Sequence, residues 1–278
     1  MNSIDVEGLR VQIDGQGPTL VMLHGWPDSP ALWDSAVAAW SDRWRCVRFP
    51  LPGYDRTQGP RPVSVAEMTR LIAAVVDTIS PDAPVTLVLH DWGCLFGYEY
   101  AARHPHRVAR IVGVDIGDAG SRAHVAGLTA VQKLQIAGYQ LWLAVAWRLG
   151  GRWPRLADRM TRWMARQVGC RNAPDAIGWP MNYPYAMGWF GDFGGLRGLA
   201  RPEATLGITW PLLYLYGRRK PFAFHSAAWL DALARRPGCA VHGLDTGHWV
   251  TRQQPAAFNA LVRDWLIERE QDSAAPRA

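Results

Sequence analysis

The sequence predicts an α/β fold: a mostly parallel sheet with helices on both faces, interrupted by an inserted helical cap. Two observations carry this. Apolar runs at 19–23 and 85–89 and a further strand pattern at 108–114 suit strands buried on both faces, and they alternate with segments of helical periodicity, as strands joined by crossover helices do. From about residue 118 to 206 that rhythm stops, leaving helical patterns, glycines and many tryptophans but no convincing strand, and it resumes with strands at 211–216 and 240–244 and helices at 225–235 and 255–270. The expected division is a core of residues 1–117 and 207–278 and a helical cap of residues 118–206.

Taken in order, residues 6–13 alternate as an edge strand would, and Gly15-Gln16-Gly17-Pro18 turns the chain. The run 19–23 ends in His24-Gly25-Trp26-Pro27. Residues 31–40 read as a helix, with Ser29 as cap and Pro30 in its first position. A strand at 45–49 is closed by Pro50, Pro52 and Gly53. Val65, Met68, Leu71, Ile72, Val75, Val76 and Ile79 fall at helical spacing behind the capping sequence Ser64-Val65-Ala66-Glu67. The run 85–89 then drives into His90-Asp91-Trp92-Gly93, and a helical pattern follows to residue 103. Residues 271–278 are polar, small and proline-containing, the composition of a disordered tail.

Composition narrows the function. At 278 residues and 49% apolar, the chain can bury a sizeable core. Its formal charge of +6 comes almost wholly from arginine, scattered along the sequence without a recognition motif, so nucleic acid is not an expected partner. Cys46, Cys94, Cys170 and Cys239 show neither metal spacing nor a disulfide framework. No signal-peptide pattern opens the chain, and a cytoplasmic location is the expectation. The longest apolar stretch, residues 134–149, is broken by Gln135, Gly138, Gln140 and Arg148; it is too short to span a bilayer and is expected to be a packed helix.

The chemistry centres on residues 88–94. A strand, a sharp turn and a helix would expose whatever stands at the turn, and here it is Asp91. A carboxylate so placed can displace a leaving group from an sp³ carbon, forming an ester that water then cleaves. His248, in Asp245-Thr246-Gly247-His248 after the last strand, would activate that water, with a second carboxylate orienting the ring. Asp115, at the end of the strand after Asp91, is the expected partner and Asp118 the reserve; the segment 216–221, after the strand that follows the cap, holds no acid.

His24-Gly25-Trp26-Pro27 together with His90-Asp91-Trp92-Gly93 resembles the epoxide hydrolase and haloalkane dehalogenase branch of the α/β-hydrolase superfamily, over nearly the whole chain. The resemblance implies an α/β-hydrolase fold, a hydrolase without cofactor or metal, and a small apolar substrate. It also implies that the backbone N–H groups of Trp26 and Trp92 form an oxyanion hole. In epoxide hydrolases, cap tyrosines protonate the opening oxygen. Tyr139 resembles the first of these and Tyr185 the second, with Tyr183 as alternative. Trp142, Trp147, Trp153, Trp163, Trp179 and Trp189 read as cap packing and pocket lining.

Two features pull toward dehalogenase: Leu89, where epoxide hydrolases usually have glycine, and the spacing from Asp91 to Asp115. Trp26 in the His-Gly-x-Pro motif pulls the other way, because the corresponding dehalogenase subgroup carries a halide-binding asparagine there. An epoxide hydrolase is the first expectation, a haloalkane dehalogenase the alternative, and a noncatalytic ligand-binding protein the third.

Overall fold

The computed structural model describes residues 2–196 and 210–274. Among these, β1 (Asn2–Val6), β2 (Leu9–Asp14), β3 (Thr19–Leu23), β4 (Arg45–Arg48), β5 (Val85–His90), β6 (Val108–Val114), β7 (Leu212–Gly217) and β8 (Ala240–Leu244) form one sheet in the order β1-β2-β4-β3-β5-β6-β7-β8. β1 and β2 run antiparallel to their neighbours, and all other pairs are parallel.

The chain winds outward from β3 to β4 in one direction and from β5 to β8 in the other. The crevice beyond the carboxyl ends of β3 and β5 is therefore the topological switch point, where open α/β sheets bind ligands. The loop carrying Trp26 and the turn carrying Asp91 leave the sheet there.

Each face of the sheet has its own core. Leu87 and Leu89 join one cluster, with α2 (Val65–Ile79), α3 (Trp92–Arg103) and α8 (Ala227–Ala234); Val88 joins the other, with α1 (Asp34–Trp40), α9 (Val250–Gln253) and α10 (Pro255–Ala274). This is the period-two alternation of a strand covered on both sides. Ser64 caps α2 by accepting from the Glu67 N–H at 3.1 Å.

Between β6 and β7 lie α4 (Arg122–Gly127), α5 (Ala130–Gly150), α6 (Pro154–Gln167) and α7 (Tyr183–Phe190), with no strand among the described residues. The boundary expected at 206 and 207 lies outside the described residues. Thr129 and Gln132 open α5 with a reciprocal capping box.

Local chemistry moved several expected boundaries. Residues 6–13 are not one edge strand but parts of a hairpin. Glu7 and Gly8 take φ of 53° and 76°, the twist a two-residue hairpin loop requires, so the edge passes to β1. The helix expected at 31–40 begins with a 3₁₀ turn over Pro30–Trp33, and Ser29 makes no side-chain cap bond. α8 starts only at Ala227 because Ser226 caps it, accepting from the Trp229 N–H.

α10 runs through the start of the expected tail to Ala274. Glu270 anchors it, accepting from the Trp44 indole at 2.7 Å and from Arg43 at 2.8 Å. Residues 275–278 lie outside the described residues.

The packed helix expected at 134–149 is packed on one side only: Leu143, Ala144 and Ala146 are buried, whereas Leu134 is 74% exposed. The tryptophans divide likewise. Trp147 packs on Trp179 with ring centroids 5.1 Å apart, while Trp142, Trp153 and Trp163 face solvent.

Candidate active site

β5 delivers Asp91 into a turn with φ 53° and ψ −124°, a conformation unfavourable for a residue with a Cβ and worth about 1–3 kcal/mol of strain. The turn aims the carboxylate back over the end of β3. A Cβ on Gly25 would stand 2.3 Å from Asp91 Oδ1, so only glycine lets the loop come close enough to serve the carboxylate. The Trp26 N–H donates to Oδ1 at 2.6 Å, and the Trp92 nitrogen at the head of α3 lies close by, 2.5 Å from where a Cβ on Gly25 would stand. Two backbone donors thus converge where negative charge would grow if the Asp91 carboxyl were attacked.

His248 enters from the loop after β8. Its Nε2 lies 3.5 Å from Asp91 Oδ2, and its Nδ1 bonds Asp115 Oδ2. Asp115, fully buried at the end of β6, receives two further donors on Oδ1: the Gly217 N–H at 3.1 Å and Lys220 Nζ at 2.5 Å.

Burial disfavours the ionised carboxyl of Asp115, but Lys220 and His248 outweigh it and hold the group down at about 2. Burial likewise opposes a charged imidazole. Asp115 and Asp91 overcome it and hold His248 up at about 9. Asp91 is also held below the usual carboxylate range, its burial outweighed by His248.

Asp118 is elsewhere. It accepts from Ser121 Oγ at 2.7 Å, Ser226 N–H at 2.6 Å and Ser226 Oγ at 2.7 Å, and so ties the loop after β6 to the cap of α8.

From the inserted helices, Tyr139 on α5 and Tyr185 on α7 reach over Asp91, their rings 6.1 Å apart. Gln140 donates to the Tyr139 oxygen at 3.3 Å, and the Tyr185 ring packs edge-on against Trp92 with centroids 5.4 Å apart. Since the Tyr139 oxygen accepts, that phenol keeps its own proton free to donate. Burial, with the Asp91 charge added, pushes both phenols well above the ordinary tyrosine value, so both stay protonated at neutral pH.

Tyr183 is different. It is fully buried among Tyr54, Trp147 and Phe193, and it lines neither cavity around Asp91.

Those two cavities meet at Asp91, Tyr139, Tyr185 and Phe224. One, of about 470 Å³, is walled by apolar side chains such as Trp92, Leu95, Ile116 and Trp189. The other, of about 450 Å³, runs past His248 and Lys220.

Leu89 lines neither. Its methyl groups fill the space above Gly97 on α3, where an added Cβ would stand 2.4 Å from Leu89 Cδ2. Its size answers to helix packing, and it carries no weight between the two expected reactions.

Two residues were missed in the sequence. Lys220 sits in the very segment noted for lacking an acid; where an acid is absent, a buried cation turned on the relocated carboxylate was the signal available. Asn182 accepts from the Trp26 indole at 2.8 Å and donates to Thr161 Oγ1 at 2.7 Å, clasping the inserted helices to the loop that supplies a backbone donor to Asp91. Nothing in the sequence marks that long-range pair. His24 is buried, with its Nε2 accepting from the Leu51 N–H at 3.1 Å, and it steadies the loop.

A sheet with this switch point and a strained carboxylate turn facing a histidine defines the α/β-hydrolase architecture. The sequence pattern of that fold family matches residues 18–250, and the chain belongs to the α/β-hydrolase-fold family. Residues of this chain are 36% identical over 104 positions to a probable oxidoreductase, EphD, of Mycobacterium tuberculosis, a match covering 35% of this chain and 18% of that protein's length. Epoxide hydrolase 2 of Caenorhabditis elegans is 23% identical over 95% of this chain and 79% of its own.

Among solved structures, an epoxide hydrolase from Bacillus megaterium superposes with a TM-score of 0.71 at 20% identity, covering 95% of this chain and 99% of that one. A haloalkane dehalogenase from Bradyrhizobium elkanii does so at 0.69 and 20%, covering 98% of both. At that identity the likeness is one of fold.

Proposed function

We propose that the protein is an epoxide hydrolase that opens an apolar epoxide through an ester on Asp91 and releases a diol. The observation that carries this is the meeting of two protonated phenols, Tyr139 and Tyr185, with the Asp91 carboxylate around one cavity junction. Asp91 attacks an epoxide carbon, the C–O bond breaks, and a phenol gives its proton to the oxygen. His248 then takes a proton from water, and the hydroxide adds to the Asp91 carboxyl carbon. The Trp26 and Trp92 N–H groups hold the resulting oxyanion until it collapses, the bond from the carboxyl carbon to the substrate oxygen breaks, and the leaving alkoxide takes the proton of the added hydroxyl, giving the diol and the Asp91 carboxylate. The proton gained by His248 balances the one the tyrosine gave. Once the ester forms, the Asp91 charge disappears, which removes one of the two anions raising His248 and favours the neutral imidazole the second step needs.

The dehalogenase alternative needs N–H donors for halide. The Trp26 indole is engaged by Asn182, which favours epoxide over alkyl halide. Against a purely ligand-binding role stands the cost of burying Asp91, Asp115 and His248 together, an arrangement that reaction chemistry explains and binding of an apolar ligand does not.

The test is incubation with aryl and alkyl epoxides and, in parallel, with bromoalkanes. Diol without bromide is expected, and His248→Gln should trap an ester seen as a mass increase on Asp91. Bromide release without diol would overturn the epoxide reading, and absence of both turnover and adduct would favour the binding protein.

A further inference from the structure

The outward face of α5 and α6 is unlike the rest of the surface. On α5, Leu134, Leu141, Trp142 and Val145 project into solvent at helical spacing, opposite the buried Leu143 and Ala144. On α6, Leu156 and Trp163 do the same, and Trp153 stands exposed just before the helix. The two stripes are continuous: Trp142 and Trp163 pack with centroids 5.0 Å apart, and the Trp142 indole donates to the Met160 carbonyl at 3.0 Å.

Interleaved with these apolar groups on α6 and the turn before it are Arg152, Arg155, Arg159 and Arg166, all exposed. None of the four makes an ion pair among the described residues. The acid of this helix, Asp158, is turned inward to Arg56, Arg162 and the Trp179 N–H.

Between residues 130 and 171 the sequence has eight basic residues and one carboxylate, an excess larger than the +6 of the whole chain. Four of the arginines that look scattered in sequence are gathered on this face by the fold.

We propose that this face docks on an anionic lipid bilayer. Exposed apolar patches of this kind mark interaction sites. Arginines among tryptophans and leucines, with no acid facing outward, suit a headgroup layer whose phosphates meet the guanidinium groups while the rings and leucines enter the acyl boundary. A second copy of the chain is disfavoured as occupant, because a self-complementary contact would bring like-charged arginines together.

α5 also carries Tyr139 and Gln140 on the wall of the larger cavity. The helix laid on the membrane is therefore the one that forms the pocket, and a substrate dissolved in the bilayer would have a short path to Asp91. The docking itself does not depend on the reaction assigned above.

The experiment is co-sedimentation of the full chain with vesicles of phosphatidylcholine alone and of phosphatidylcholine with phosphatidylglycerol, at low and high salt, with tryptophan emission read in parallel. Binding to the anionic vesicles at least about tenfold tighter than to neutral ones, weakened by salt and accompanied by a blue shift, is expected. Each arginine near an anionic surface contributes roughly fivefold, so Arg155→Glu with Arg159→Glu should cost roughly 25-fold or more. Arg10→Glu with Arg235→Glu, the same change of net charge elsewhere, should cost far less.

All four side chains are exposed, and unchanged unfolding midpoints will show that the variants fold. No binding at low salt, equal loss in the two double variants, or a concentration-dependent dimer abolished by the first of them would overturn the proposal.

Discussion

Replacing Lys220 with methionine tests how the relay between Asp115 and His248 is tuned. The ammonium lies 2.5 Å from Asp115 Oδ1 with only 8% of its side chain exposed, and His248 holds the other oxygen. Two cations on opposite oxygens of one carboxylate stand roughly 6 Å apart, and at an effective dielectric of about 20 they repel by roughly 3 kcal/mol, or about two pKa units. Without Lys220, His248 becomes a stronger base than its present value of about 9.

A stronger base stays protonated further into the alkaline range, and a protonated imidazole cannot take a proton from water. The step that slows is therefore ester hydrolysis, by roughly ten- to a hundredfold at pH 7. Ester formation needs only Asp91 and the phenols, and it should hold. Rapid quenching followed by intact-protein mass measurement should show the ester accumulating in Lys220→Met at pH 7 and clearing as pH rises, with the kcat profile moved to alkaline pH. Lys220→Arg should restore much of the parent profile. If the profiles of parent and Lys220→Met superpose, or if ester formation falls in step with turnover, the electrostatic reasoning fails.

Asp115→Asn removes the carboxylate that orients and charges His248, and turnover should fall by about three to four orders of magnitude while the ester still forms, as single-turnover mass measurement would show. Tyr139→Phe and Tyr185→Phe should each slow epoxide opening by roughly 10²- to 10⁴-fold in pre-steady-state traces and leave hydrolysis of a preformed ester unchanged. Asn182→Ala leaves the Trp26 indole and Thr161 hydroxyl without their buried partner, and urea unfolding should report a loss of about 1–3 kcal/mol.

His248 is held up at about 9 against an ordinary 6.5, so the stabilisation it contributes is complete below pH 6.5 and lost as pH rises through 9. The thermal midpoint of the parent should fall across that window, and that of His248→Gln should fall less.

How much of this was legible in the sequence follows from range. Strand and helix identity in the core is local, written in apolar period and caps such as Ser64, and most of it could be read directly. The hairpin at Glu7-Gly8 was local too, but a glutamate at positive φ is not an ordinary turn signal. Asp91 and Asp115 were readable because each directly follows a strand and His248 because it lies in the loop after one, and the sheet brings strand ends together.

Lys220 and Asn182 escaped because their meaning lies in partners more than 100 residues away, on loops whose approach no periodicity encodes. The choice between Tyr183 and Tyr185 turned on the phase of a short helix: two positions along α7 rotate a side chain through more than half a turn, out of the pocket and into the core.

The interlock of Leu89 with Gly97 has a consequence for how this protein can be altered. The first peptide of α3 carries the Trp92 N–H, which stands beside Gly25 and the Asp91 carboxylate. Whatever sets the spacing of α3 from β5 therefore also sets the position of that donor. Because Leu89 atoms lie within 3.0 Å of where a Cβ on Gly97 would stand, the two positions form one steric unit. Enlarging residue 97 alone would lever the helix outward, and trimming residue 89 alone would leave a void beneath it. Variation should be accepted only when the pair changes together in opposite senses. Libraries that sample one position at a time will read both as immutable, although the constraint lies in their sum.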